Sequence, residues 1–184
     1  MARELGAGAV VEPPTERALA GPAGATPIAR LRAVAAVRSF VSGDPHGDRI
    51  RIRYYRIDDP NTLTARVWFG PGAEGPPGHA HGGASAAVLD EVLGGAVWEA
   101  GHKVLAAQLD TRWHAPLPLG VVMTATATVS AVDGRKIRVR GAIRDDAGRL
   151  HAEAEGLYVA LADDRLAAFA PWLPGSDTPD EPLG

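Results

Sequence analysis

The stretch His81-Gly-Gly-Ala-Ser-Ala-Ala-Val-Leu-Asp90-Glu91-Val-Leu-Gly94-Gly95-Ala-Val-Trp98 constrains this chain more than any other. It reads as one helix from Gly82 to about Ala100, roughly 28 Å long at 1.5 Å per residue. Its apolar residues occupy nearly every face instead of one stripe, which marks a helix that is buried. Asp90 and Glu91 are the only ionisable groups in it before Glu99. A carboxylate in apolar surroundings is costly unless something pairs with it or uses it.

Residues three and four apart share a helix face, so Asp90 is bordered by Ala86, Ala87, Leu93 and Gly94, a mostly small face, and Glu91 points about 100° away. Gly94 and Gly95 each cost about 1 kcal/mol against alanine in a helix interior, which suggests a close approach there by a ligand or another element. Two readings of Asp90 are open: a buried, hydrogen-bonded core acid, or a carboxylate poised as base or nucleophile. The entry to the helix, Pro76-Pro77-Gly78-His79-Ala80-His81-Gly82-Gly83, leaves the first helical N–H groups uncovered by side chains. Such donors, with the helix dipole, can stabilise a developing oxyanion; the plainer reading is that the glycines only permit a tight turn.

His81-Gly82-Gly83 followed by Asp90, within HGGASAAVLDE, resembles the helix signature of hotdog-fold acyl-CoA thioesterases of the phenylacetate-pathway type. The resemblance extends from about Tyr55 to Leu161. It takes in Ala107-Gln-Leu-Asp-Thr-Arg-Trp-His-Ala-Pro116-Leu-Pro118, similar to that family's strand ending in a Pro-x-Pro turn, and the Asp133-Gly134-Arg135-Lys136 hairpin. It implies an α+β hotdog, a curved antiparallel sheet around one central helix. It also implies a thioesterase in which the Gly82 N–H polarises the carbonyl, Asp90 activates water or attacks, and His81 orients the glycine turn. Gly83, Glu91, Gly94, Ala106, Gln108, Arg135 and Lys136 form the expected substrate-binding set, the last two against the CoA phosphates or simply as a solvated hairpin. Related enzymes build the site across a homodimer, often a dimer of dimers. Two positions depart from the pattern. The Ser or Thr that usually holds the attacking water aligns with Ala106, and the polar residue six before the histidine is Gly75.

At 184 residues the chain is about one domain. Its 19 basic and 22 acidic residues leave a net charge of −3, so there is no electrostatic case for nucleic acid. It has no cysteine, which excludes disulfides, thiol nucleophiles and cysteine metal sites. No apolar run near the N-terminus is long enough for a signal segment or membrane span, and the chain reads as cytoplasmic, with no membrane partner.

Residues 1–26, rich in Ala, Gly, Pro and Glu without a period, read as a flexible arm. A single domain is expected over 27–173 and a tail over 174–184. Pro27 to Val41 reads as a short amphipathic helix. Alternation that is strict over the first six residues of 49–57 and returns at 62–69 predicts a hairpin, and four further strands are expected at about 103–114, 120–131, 136–144 and 149–161, joined by short turns and hence antiparallel. On the strand from Val121, Thr124, Thr126 and Thr128 oppose Met123, Ala125, Ala127 and Val129. One sheet face is therefore packed, and the helix at 82–100 is the only long apolar element to cover it. Asp163 to Ala170 suggests a second short helix ended by Pro171-Trp172-Leu173-Pro174, with Phe169 and Trp172 covering sheet surface.

His79 and His81 alternate like a metal pair, but with no cysteine and the carboxylates a helix away, no metal is expected, and no cofactor is implied. His46, His102 and His151 read as solvated; His114 is undecided. Ser85 lacks the flanking glycines of a nucleophile elbow. The reading is an enzyme that hydrolyses an acyl-CoA or acyl-carrier thioester as a homodimer or tetramer. A hotdog hydratase, with a histidine five after the aspartate, is disfavoured by Gly95 at that offset. A non-hydrolytic acyl-CoA-binding or scaffold protein is favoured by the missing hydroxyl at Ala106.

Overall fold

A computed structural model describes residues 11–29, 31 and 39–162. Seven strands form one sheet: β1 (Thr26–Ile28), β2 (Ile50–Arg56), β3 (Thr62–Phe69), β4 (Val104–Trp113), β5 (Val122–Asp133), β6 (Lys136–Arg144) and β7 (Leu150–Ala160). One helix, α1 (Gly82–Glu99), lies between β3 and β4 in the chain. The strand order is β1-β2-β3-β5-β6-β7-β4, antiparallel throughout. α1 packs on β3, β4, β5, β6 and β7. This is the hotdog arrangement, and the expected hairpin, helix and four later strands all form within a residue or two of their expected limits.

The pleat explains which side chains meet the helix. Met123, Ala125 and Ala127 of β5 are fully buried, as are Ile137, Val139 and Ile143 of β6 and Ala152 and Ala154 of β7, while Thr124 and Thr126 between them stay half-exposed. Against them α1 sets Val88, Leu89, Val92, Leu93, Ala96 and Val97. Each large apolar side chain so buried stabilises the fold by about 1.5–3 kcal/mol. The β5–β6 turn has Gly134 at φ +54°, and the β6–β7 turn has Gly148 at φ +81°, the left-handed conformations that glycine adopts without penalty.

Four expectations change. Thr26–Ile28 is a strand paired with Tyr54–Arg56, so the helix expected from Pro27 does not begin there; positions 30 and 32–38 of that segment lie outside the described residues, as do the short helix after Leu161, Phe169 and Trp172. The described part of the supposed loose arm is packed. Leu19 is buried, its carbonyl accepts from Tyr55 Oη at 2.7 Å, and Glu16 pairs with Arg53 at 2.9 Å. Leu19 anchors it together with Val11, which packs against the core. His151 is not solvated but 3% exposed, with Nδ1 2.8 Å from the Pro116 carbonyl and Nε2 3.2 Å from Asp145 Oδ2. The β6–β7 register shifts at this point, Ile143 pairing with Ala152 and Arg144 with Leu150, and His151 lies against the Pro-rich turn. Finally, α1 is not buried on every side: one face carrying Asp90 is open. Among the described residues no helix is long and apolar enough to cross a membrane.

Candidate active site

The site is built around α1. At its N-terminus His81 is the N-cap (φ −60°, ψ 138°), and its Nδ1 accepts from Gly83 N at 2.9 Å. The His81 amide donates to the Ala73 carbonyl at 2.7 Å, and the His81 carbonyl accepts from the amides of Ala84 and Ser85. The expectation that the first helical donors are all uncovered is thus corrected, because the histidine caps Gly83. The Gly82 N–H alone among them has no partner within the described residues, so the positive end of the helix dipole is concentrated on one donor. His79 turns elsewhere, with Nδ1 2.9 Å from the Pro77 carbonyl.

Trp113, at the end of β4, flanks this donor. Its Nε1 donates to Ser85 Oγ at 2.9 Å, and Ser85 Oγ donates to the Gly82 carbonyl at 2.8 Å. Ser85 is fully buried in this relay. Behind the cap sits Gly75, where a Cβ would stand 2.7 Å from His81 Cα. A side chain at this position therefore cannot fit without moving the cap.

Two turns along α1, Asp90 faces an open hollow of about 400 Å³ lined by Ala86, Ala87, Asp90, Ala106, Ala107, Gln108 and Leu109. The sequence had left a buried core acid as one reading of Asp90; the residue is exposed. The small face exists because Ala86 and Ala87 sit one turn back on the same side. Opposite, β4 carries a bulge between Ala106 and Gln108. Gln108 Nε2 donates along the strand to Asp110 Oδ2 at 2.7 Å. From below, Tyr158 Oη lies 3.1 Å from Asp90 Oδ1.

Glu91 is turned away from the hollow: Tyr54 Oη and Ser39 Oγ donate to its two oxygens, the latter at 2.7 Å. The structure thus places the half-buried acid with a hydroxyl donor on each oxygen at 91, not 90. Burial first, then the Glu91 charge and hydrogen bond, raise the Tyr54 pKa far above the ordinary tyrosine value. Gly94 meets the Tyr158 ring, and a Cβ at Gly95 would stand 2.8 Å from Leu31 Cδ1 and 2.9 Å from Leu63 Cδ2. The close approach that the two glycines announced is made by the protein's own core.

Arg135 borders a second hollow, of about 500 Å³, which shares Ala106 and Ala107 with the first. Its Nε and Nη2 donate to the Ala160 carbonyl at 3.1 and 2.9 Å, fixing a cation at the rim. Lys136 is exposed and lines neither hollow. Tyr158, Trp113 and the Ser85 relay were not singled out as site residues. The signal for Tyr158 was available: it is the one phenol on the inward face of β7, and a buried phenol needs a hydrogen-bond partner.

Residues 77–152 match the family model described as the thioesterase superfamily. The acyl-coenzyme A thioesterase THEM4 of Xenopus laevis is 40% identical over 94 residues, which are 50% of this chain and 42% of that protein. The acyl-coenzyme A thioesterase THEM4 of Bos taurus is 33% identical over 127 residues, 68% of this chain and 52% of that one. The crystal structure of RHA08564, a thioesterase superfamily protein, aligns with a TM-score of 0.61 at 37% identity, covering 66% of this chain and 60% of that chain. The chain spans about half the length of the curated relatives it matches.

Proposed function

We propose, from the match of residues 77–152 to the thioesterase superfamily model and the 37% identity to a solved thioesterase superfamily protein, that this chain hydrolyses an acyl-CoA or acyl-carrier thioester in the cytoplasm, with Asp90 as general base or nucleophile and the Gly82 N–H as oxyanion donor. The observation that carries this reading is the pairing of an uncommitted helix N-terminal donor with a carboxylate that faces an open, small-walled hollow.

The two groups lie eight residues apart on one helix, about 12 Å along its axis at 1.5 Å per residue. One thioester carbonyl cannot meet both in a single chain. Each site therefore combines Gly82 of one copy with Asp90 of a second. β4 supplies the means: it is an edge strand with its second side unpaired, and Leu105 and Trp113 on it are 47% and 53% exposed. An exposed edge of ten residues invites a further strand.

In the base route Asp90 takes a proton from water while the oxygen adds to the acyl carbon, and the Gly82 N–H receives the charge that appears on the carbonyl oxygen. The tetrahedral intermediate then collapses, breaks the C–S bond and expels the thiolate, which takes the proton back. In the nucleophile route the Asp90 oxygen adds first, the C–S bond breaks and the thiolate leaves to be protonated by solvent, and water then cleaves the resulting mixed anhydride to the free acid and Asp90. Arg135 at the neighbouring rim suits the phosphates of a CoA or carrier arm.

Release of free thiol from a panel of acyl-CoAs, with Asp90→Asn alongside, tests the proposal; no thiol release from any of them ends it. Ala106 favours a second reading, since it lacks a hydroxyl to hold water: an acyl-CoA-binding protein that does not hydrolyse, for which the same panel would show tight binding without thiol.

A further inference from the structure

An aspartate at the rim of a wide hollow is free to scatter its carboxylate over several rotamers. Here it is tied from beneath. Tyr158 is 2% exposed, and its Oη stands 3.1 Å from Asp90 Oδ1 and 3.2 Å from the Asp90 carbonyl oxygen. Among the described residues this is the only side-chain hydrogen bond to that carboxylate. The path of the phenol is kept open by Gly156, and Gly94 lies against the ring. A Cβ at Gly156 would stand 2.6 Å from Tyr158 Cε2, and one at Gly94 would be in contact with Cε1 at 3.4 Å. Burial, then the charge of Asp90 and their hydrogen bond, raise the Tyr158 pKa well above its ordinary value, and the Gly94 N–H, acting the other way, does not overcome them. The phenol stays protonated and can only donate to the carboxylate.

We propose that Tyr158 is the positioning residue for Asp90: it holds Oδ1, so that Oδ2 is presented to the hollow as the oxygen that takes the proton or meets the acyl carbon. The inference rests on the reading of Asp90 as base or nucleophile. Tyr158 pairs across the strands with Ala106, so the hydroxyl nearest this carboxylate comes from β7, directly behind the β4 position where related enzymes carry theirs. It acts on the carboxylate, not on the water.

Tyr158→Phe removes the hydroxyl and keeps the ring. In the full chain, with aspartate labelled at the carboxyl carbon, the Asp90 resonance is identified by its loss in Asp90→Asn. Loss of a hydrogen bond changes the shielding of the carboxyl carbon, so the resonance at neutral pH moves in Tyr158→Phe while the other aspartate resonances stay in place. Asp90 is the only ionisable residue lining the hollow from α1 and β4; Glu91 is bound to Tyr54 and Ser39, and Asp110 to Gln108. On the acyl-CoA that turns over fastest, kcat falls about tenfold in Tyr158→Phe with KM within about twofold, the signature of an interaction used in the transition state. In the Asp90→Asn background the same change has no further effect. If Asp90→Asn retains wild-type turnover, the reading of Asp90 fails and the inference with it. If Asp90→Asn is inactive while Tyr158→Phe matches wild type in the Asp90 resonance and in kcat, the inference alone is overturned.

Discussion

Tyr54 reaches across from β2 to donate its hydroxyl to Glu91, and with Ser39 on the other oxygen at 2.7 Å the carboxylate is fully engaged by the core. Asp90, its neighbour in sequence, has an open face. One step of about 100° around a helix thus separates a structural acid from one available for chemistry.

The two carboxylates should therefore fail in different ways. Asp90→Asn is expected to lower kcat roughly 100-fold, as for loss of a general base, with the melting temperature unchanged. Glu91→Gln places an amide where the carboxylate accepts two hydroxyl donors, and is expected to lose about 1–3 kcal/mol of stability with kcat retained in the folded fraction. Thiol release and thermal denaturation of both variants check this; exchanged phenotypes would move the base to Glu91.

The oxyanion donor can be removed without disturbing the helix. Proline is favoured at the first helical position, and His81 before it already has the extended backbone that a following proline requires (φ −60°, ψ 138°). The nearest neighbour of a Cβ at 82 is the Trp113 ring, at an ordinary contact distance of 3.5 Å. Gly82→Pro is thus expected to fold and to lose roughly 100-fold or more in kcat, while Gly82→Ala keeps the N–H and most of the rate. Steady-state kinetics of the pair decide it.

A charge on the free edge should separate copies and abolish activity together. Leu105→Arg is expected to shift the protein from dimer or larger to monomer in sedimentation at micromolar concentration. Turnover should go with it, because Gly82 and Asp90 of one chain cannot reach the same carbonyl. A monomeric wild type, or an active monomeric variant, would remove the shared-site reading.

Asp145 should contribute a pH-dependent share of stability. Burial pushes its pKa up, but the Arg149 amide, His151 and the Ala147 amide together outweigh that and hold it below the ordinary value of 3.8. With a depressed folded pKa, its contribution is complete above the unfolded value and is lost as pH falls through the folded one. In thermal melts Asp145→Asn is expected to be less stable than wild type at neutral pH, with the gap closing below pH 3.8.

Much of the fold was legible because period and turn chemistry agree. The alternation of Thr124, Thr126 and Thr128 with Met123, Ala125 and Ala127 placed β5 and its packed face, and Asp133-Gly134 placed the β5–β6 turn. The spacing of His81, Gly82 and Asp90 likewise marked residues that the structure sets at one donor and one hollow. What stayed illegible depends on contacts between distant segments. Leu19 packs only once β2 brings Tyr55 beside it. His151 is buried only by the Pro116 turn, and Glu91 finds Ser39 and Tyr54 on elements that local pattern cannot bring together. Periodicity predicts facing, not partners. Gly75 shows the same limit: its missing side chain read as a loss, whereas the contact with His81 Cα makes it a requirement of this N-cap.

The β4 bulge between Ala106 and Gln108 has its consequence outside the chain that contains it. A regular edge strand lets an incoming strand slide by two residues and keep every side chain on its proper face. A bulge interrupts that translational repeat and adds local twist, so an added strand finds one alignment in which its hydrogen-bonding groups match and none at the neighbouring offsets. The irregularity lies within the wall of the hollow that Asp90 faces. In the proposed shared site, the same three residues that shape the hollow would therefore index how a second copy lies along the edge, and a slipped assembly would leave every carboxylate opposite the wrong helix turn.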